Sequence, residues 1–166
     1  MTAELFTVLH DVHAQLIERH QTVSVAESLP GGLLGAALTE RPGSSAYFLG
    51  GIQAYANSVK EQLLGVSHET LLSFGAVSEE VASEMALGIQ RLTGSDWALS
   101  TTGIAGPDGG SEEKPVGTVW VSVADSVGVY SQKLSLEGDR SNVRNHTVLE
   151  ALSMLLERLS DDDDDL

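Results

Sequence analysis

The stretch VSVAESLPGGLLGAAL, from Val23 to Leu38, passes from strand to helix within one corner, and it constrains the fold more than any other part of the chain. Val23, Val25 and Ala26 have the branched, apolar character of a buried strand, whereas Gly31 to Thr39 reads as a helix of small residues. Glu27, Ser28, Leu29 and Pro30 lie between them. A strand that turns directly into a helix is the unit of an α/β sheet, and in such sheets ligands bind beyond the carboxyl ends of the strands. Glu27 and Ser28 stand at such an end, and Gly31 and Gly32 allow backbone to approach a ligand closely. Two readings of the pair remain open: part of a site, or a helix cap with a carboxylate complementing the dipole.

The rest of the chain continues the alternation. Leu5, Leu9, Val12 and Leu16 mark one face of a helix over Ala3 to Arg19. Ala46 to Ala56 reads as a strand bent at Gly50-Gly51, and Asn57 is placed to cap a helix ending at Gly65. A short helix follows Ser67. Ser78 caps a longer one whose buried stripe is Val81, Met85, Ile89 and Leu92, and Gly94 ends it. Asp96 to Thr102 is a strand entering the long loop GIAGPDGGSEEKPVG, Thr118 to Ala124 and Val129 to Leu136 form a hairpin, and Asn142 to Leu159 is the last helix. The pattern predicts a mixed α/β sheet covered on both faces, in a single domain over residues 1–160 followed by an acidic, disordered tail from 161 to 166.

Charge narrows the function. The net charge is −15, and without the run Asp161 to Asp165 there remain 19 acidic residues against nine basic ones. Such a body repels nucleic acid and anionic membranes, and no segment has the length of a membrane span or the look of a secretory leader, so a cytoplasmic location is expected. With no cysteine, thiolate chemistry is excluded. Asp108, Glu112 and Glu113 have oxygens suited to magnesium, but a mobile acidic loop describes them better, and no metal site is expected.

Ser28 needs a base to act as a nucleophile. The histidines, His10, His13, His20, His68 and His146, give little support for a Ser-His-Asp arrangement. Lysine is the alternative where its charged form is disfavoured. Of Lys60, Lys114 and Lys133, Lys60 lies in the first turn of its helix, where the dipole opposes a cation. The loop after Thr102 is rich in unencumbered backbone N–H groups, and Arg140 and Arg144 flank the start of the last helix as a pair able to hold a phosphate or to form ordinary ion pairs.

VAESLPGGLLGAAL, PGSSAYFLGGIQAYANSVKEQLLGV, GAVSEEVASEMA, TTGIAGPDGGSEEKPVGTVWVSVA and GDRSNVR together resemble the CinA C-terminal domain family over roughly residues 5 to 158. The resemblance implies a three-layer α/β/α sandwich on a mixed, mostly parallel sheet, usually in a homo-oligomer, with no cofactor and a small nucleotide as partner. It further implies a nicotinamide mononucleotide deamidase of NAD salvage that uses a Ser28–Lys60 pair. Tyr55 and Ser45 match further catalytic positions, with Glu27, Gly31, Gly32, Thr102, Gly103, Gly106 and Arg140 around the substrate and the Gly31 and Gly32 amides facing the oxyanion. One departure stands at the corner, where family members carry threonine and this chain has Pro30, lacking both hydroxyl and N–H. If Pro30 is the first helical residue it is tolerated; if the lost groups held substrate, a nucleotide-binding or regulatory module without turnover is the alternative.

Overall fold

The computed structural model describes residues 1–164. Its elements are α1 (Ala3–Arg19), β1 (Val23–Glu27), α2 (Leu33–Leu38), a 3-10 turn (Ser44–Ala46), β2 (Phe48–Gln53), α3 (Asn57–Leu64), α4 (His68–Phe74), α5 (Glu79–Thr93), β3 (Trp97–Gly103), β4 (Thr118–Ala124), β5 (Val129–Ser135) and α6 (Arg140–Asp164). One sheet runs in the order β2-β1-β3-β4-β5. β1 lies parallel to both β2 and β3, and β4 runs against β3 and β5, so four strands share a direction and only β4 opposes them.

Helices cover both faces, which makes the three-layer sandwich. On one face α1, α2 and α6 bury Leu9, Val12, Leu16, Leu34, Leu152 and Leu155 against Val23, Val25, Leu99 and Val121 of the sheet. On the other, α5 brings Val81, Met85 and Ile89 down onto Ala26, Ala98 and Ala124. Branched residues toward α6 and alanines toward α5 follow from the strand period of two, and the small residues let α5 sit close.

Local signals explain most boundaries. Thr2 accepts the Leu5 N–H and Ser78 the Val81 N–H, and left-handed residues at His20, Gly65 and Gly94 end α1, α3 and α5. Other expectations need correction. α2 begins at Leu33 rather than Gly31, because Gly31 and Gly32 have φ of 72° and 108° and form the turn instead. Pro30 is therefore not the first helical residue. α3 is capped at Ala56 with no side-chain bond, so Asn57 is its first residue and not its cap. β2 is shorter than Ala46 to Ala56, and its pairing with β1 skips a residue between Phe48 and Gly50. The last helix runs on through Asp164, where a disordered tail was expected from 161. Arg19 holds Asp162 at 3.0 Å and Asp163 at 2.7 Å, and Arg158 holds Asp161 at 3.1 Å. Residues 165 and 166 of that expected tail lie outside the described residues. No helix among those described is long and apolar enough to cross a membrane.

Candidate active site

Strand alternation answers why a carboxylate and a hydroxyl stand side by side. Along β1 successive side chains point to opposite faces. Glu27 follows Val23 and Val25 toward the α2 layer; Ser28, one step later, turns to the layer of α3. The Glu27 carboxylate is buried and accepts three backbone bonds from the start of α2: Gly32 and Leu34 donate to Oε1 at 3.0 Å each, and Gly35 to Oε2 at 2.9 Å. Glu27 is thus the cap of α2 and not a substrate-binding group, and the Gly32 amide expected at the oxyanion is already occupied. Glu27→Gln retains the shape but turns an N–H₂ toward one of these donors. We expect a loss of about 2 kcal/mol in the unfolding free energy, read by urea titration.

On the opposite face, Lys60 is 1% exposed. Its Nζ donates to Ser28 Oγ at 3.1 Å and to the carbonyls of Ala54 at 2.8 Å and Tyr55 at 3.1 Å. Thirty-two positions separate serine and lysine, and what joins them is the parallel pairing of β1 and β2: Ala54 N–H donates to the Glu27 carbonyl at 2.7 Å, so the chain leaving β2 and entering α3 passes beside the end of β1. Burial lowers the Lys60 pKa from 10.5 to about 8. Desolvation is the cause.

Ser28 opens into a cavity of about 530 Å³ whose walls include Gly31, Gln53, Tyr55, Gly103, Gly106 and Arg140. Ser28 N–H is spent on the Thr101 carbonyl at 2.9 Å, and Pro30 has none to offer. Leu29 and Gly31, both lining the cavity, have N–H groups with no acceptor among the described residues. Two arginines one turn apart on α6 brace the walls. Arg140 donates to the Gly106 carbonyl at 2.8 Å, and Arg144 to the Pro30 carbonyl at 3.2 and 3.3 Å. Each guanidinium keeps further donors for an anion. Gly103 packs where a methyl would collide with Val119 and the Thr118 carbonyl, which keeps this wall thin.

Several expected residues stand elsewhere. Thr102 is buried and gives its hydroxyl to the Ala76 carbonyl at 2.9 Å, away from the cavity lining. Tyr55 orients Lys60 through its backbone carbonyl, while its ring is 66% exposed at the cavity rim. Ser45 lies before the start of β2 and is exposed; with about 3.3 Å per residue, the strand separates it from the Gln53–Tyr55 end by roughly 17 Å. Within one chain it cannot touch Ser28 or Lys60. Lys114, considered for an anion, instead donates to the Phe74 carbonyl at 2.6 Å. Gln53 lines the cavity and had no sequence signal beyond its place at a strand end.

A sequence model of the CinA C-terminal domain matches residues 6–159. The chain belongs to the CinA C-terminal domain family. A CinA-like protein of Gloeothece citriformis is 52% identical over 151 residues, covering 89% of this chain and 36% of that protein. A CinA-like protein of Synechocystis is 51% identical over 156 residues, covering 92% and 38%. This chain therefore spans little more than a third of the curated relatives it matches. Among solved structures, the competence/damage inducible protein CihA of Agrobacterium tumefaciens superposes with a TM-score of 0.93 at 38% identity, covering 96% of this chain and 98% of that one. A CinA superfamily protein of Klebsiella pneumoniae gives 0.91 at 34%, with 94% and 98% covered. The CinA fold is thus shared nearly end to end with the solved proteins.

Proposed function

We propose that this CinA domain is a hydrolase of the carboxamide of nicotinamide mononucleotide, yielding nicotinate mononucleotide and ammonia. The observation that carries the reading is the buried Lys60 amine 3.1 Å from the Ser28 hydroxyl. In its neutral form Lys60 Nζ takes the Ser28 proton as Oγ bonds to the amide carbon. The resulting ammonium keeps the Ala54 and Tyr55 carbonyls as acceptors. The oxyanion faces the Gly31 N–H, and a donor so placed contributes about 3 kcal/mol. Lys60 returns the proton to the leaving nitrogen as the C–N bond breaks, ammonia departs, and an ester on Ser28 remains. Water adds to that ester, giving its proton to Lys60, and the C–O bond to Ser28 then breaks with return of the proton to Oγ. Arg140 and Arg144 offer their remaining donors to the phosphate, and the glycine loop from Gly103 to Gly106 lets the ribose lie against backbone.

Because the base is the uncharged amine, turnover rises with pH. With a pKa of about 8, about a tenth of Lys60 is neutral at pH 7. We expect kcat/KM for ammonia release from nicotinamide mononucleotide to climb roughly tenfold per pH unit below about 8 and to level above it. A flat profile from pH 6 to 9 removes Lys60 as the base.

The second reading, a nucleotide-binding module without turnover, is favoured by one observation: Glu27 occupies the Gly32 amide and Pro30 has no N–H, so the corner offers few donors to an oxyanion. Calorimetric binding of nicotinamide mononucleotide without ammonia release selects it.

A further inference from the structure

Gln53 closes β2 with its side chain uncommitted. The parallel register sets it beside Glu27, so both side chains leave the sheet toward α2. Glu27 is consumed by the amides of Gly32, Leu34 and Gly35, whereas neither the nitrogen nor the oxygen of the Gln53 amide has a hydrogen-bond partner among the described residues. The amide is nevertheless held in place. A methyl added to Gly32 would overlap Gln53 Nε2 and stand 3.0 Å from Cδ and 3.6 Å from Oε1, so the amide lies on the bare Cα of Gly32 with its nitrogen innermost. Glycine at this position thus adopts a φ of 108° and also leaves room for the Gln53 amide. Gln53 lines the same cavity as Ser28, Leu29 and Gly31. That cavity is poor in donors at the corner: Ser28 N–H goes to the Thr101 carbonyl, Gly32 N–H goes to Glu27, and Pro30 has none, which leaves only the amides of Leu29 and Gly31.

We propose that Gln53 recognises the carboxamide of the substrate, Nε2 donating to its carbonyl oxygen and Oε1 accepting from its N–H₂. A glutamine amide carries both donors and an acceptor, and a primary carboxamide carries the same set, so the two pair edge to edge in both directions. A carboxylate offers acceptors only. It forfeits one of the two bonds and sets a charged oxygen against Oε1. As Ser28 Oγ bonds to the amide carbon, the carbonyl oxygen gains charge and the bond from Nε2 strengthens, so the same contact that selects the substrate also lowers the barrier. Once ammonia has left and water has opened the ester, the acid has no hydrogen to give Oε1 and is held less tightly than the amide it came from. This role rests on the nicotinamide mononucleotide reading above, and it can fail while that reading stands.

Gln53→Met and Gln53→Ala both remove the donor, the first keeping the length of the side chain and the second leaving nothing to collide with Gly32. Because the amide bonds nothing within the chain, both should melt with the unmodified protein, and kcat for ammonia release from nicotinamide mononucleotide should fall by about a hundredfold in each. In a Ser28→Ala background, calorimetry should show nicotinamide mononucleotide binding about tenfold more tightly than nicotinate mononucleotide, and adding Gln53→Met should erase that difference. An unchanged kcat in either variant overturns the proposal, as does a preference for the amide that survives Gln53→Met. A lowered melting temperature in both variants also overturns it, since the amide is then structural. If the unmodified chain releases no ammonia, the hydrolase reading falls and the binding comparison alone decides for Gln53; if neither nucleotide binds, both fall together.

Discussion

Ser28→Ala and Lys60→Met are each expected to reduce ammonia release from nicotinamide mononucleotide by at least about a thousandfold, and the double variant is expected to be hardly worse than either single one. A hydroxyl without its base and a base without its hydroxyl fail at the same step. The two variants differ in stability. Ser28→Ala removes one bond from an ammonium that retains two carbonyl acceptors. Lys60→Met removes a buried amine whose ionised form is disfavoured by folding. The sign follows from its lowered pKa: between about 8 and 10.5 the unfolded chain binds the proton that the folded chain releases, so wild-type stability from this group rises with pH across that interval. Below about 8 the full penalty of burying the charge applies, on the order of 3 kcal/mol for a shift of this size. Equilibrium denaturation from pH 7 to 10 should show that rise in the wild type and lose it in Lys60→Met. Ser28→Ala with normal turnover removes the nucleophile from the proposed mechanism.

Gly88→Ala is expected to be strongly destabilising for a single added methyl. Gly88 lies in α5 against α3, and an added Cβ would overlap the Leu64 carbonyl oxygen and crowd its backbone. Neither helix can yield cheaply, because α5 is seated on alanines of the sheet and Lys60 anchors α3 at the end of β1. The intrinsic preference of helices for alanine favours the variant by up to about 1 kcal/mol, while overpacking of backbone costs about 3 or more. A net loss of about 2 kcal/mol lowers the melting temperature by roughly 4 to 8 °C for a chain of this size. If α3 shifts to accommodate the methyl, Lys60 withdraws from Ser28, and kcat should fall with little change in KM. Unchanged melting and turnover would mean that α3 and α5 are not in backbone contact.

Much of this fold is legible in the sequence. α1 is readable from its apolar spacing, and α5 because the Ser78 cap, the apolar spacing and the left-handed Gly94 agree with one another. The hairpin was readable from its alternation. Helix starts after glycine pairs were less so, because glycine at Gly31 and Gly32 serves a turn as readily as a helix. The continuation of α6 into the aspartates depends on Arg19 of a distant helix, a contact with no local trace. At the site, residue types were visible but their direction was not. Adjacent Glu27 and Ser28 must point oppositely, yet which helix waits on each side is decided by the order of strands in the sheet. Ser45 and Thr102 show the complementary lesson, since the resemblance assigned them to a site and the geometry of one chain puts the first at the other end of a strand and turns the second inward.

The opposed directions of Glu27 and Ser28 also bear on how this chain can change. Dropping or adding a single residue within β1 inverts the reading frame of its side chains: the carboxylate would be delivered to the buried amine of Lys60 and the hydroxyl to the bare amides that open α2. One deletion would thus exchange nucleophile and cap and disable both, whereas a substitution disables only one. Insertions and deletions belong in the connections, and the length of β1 is fixed by whether it is odd or even.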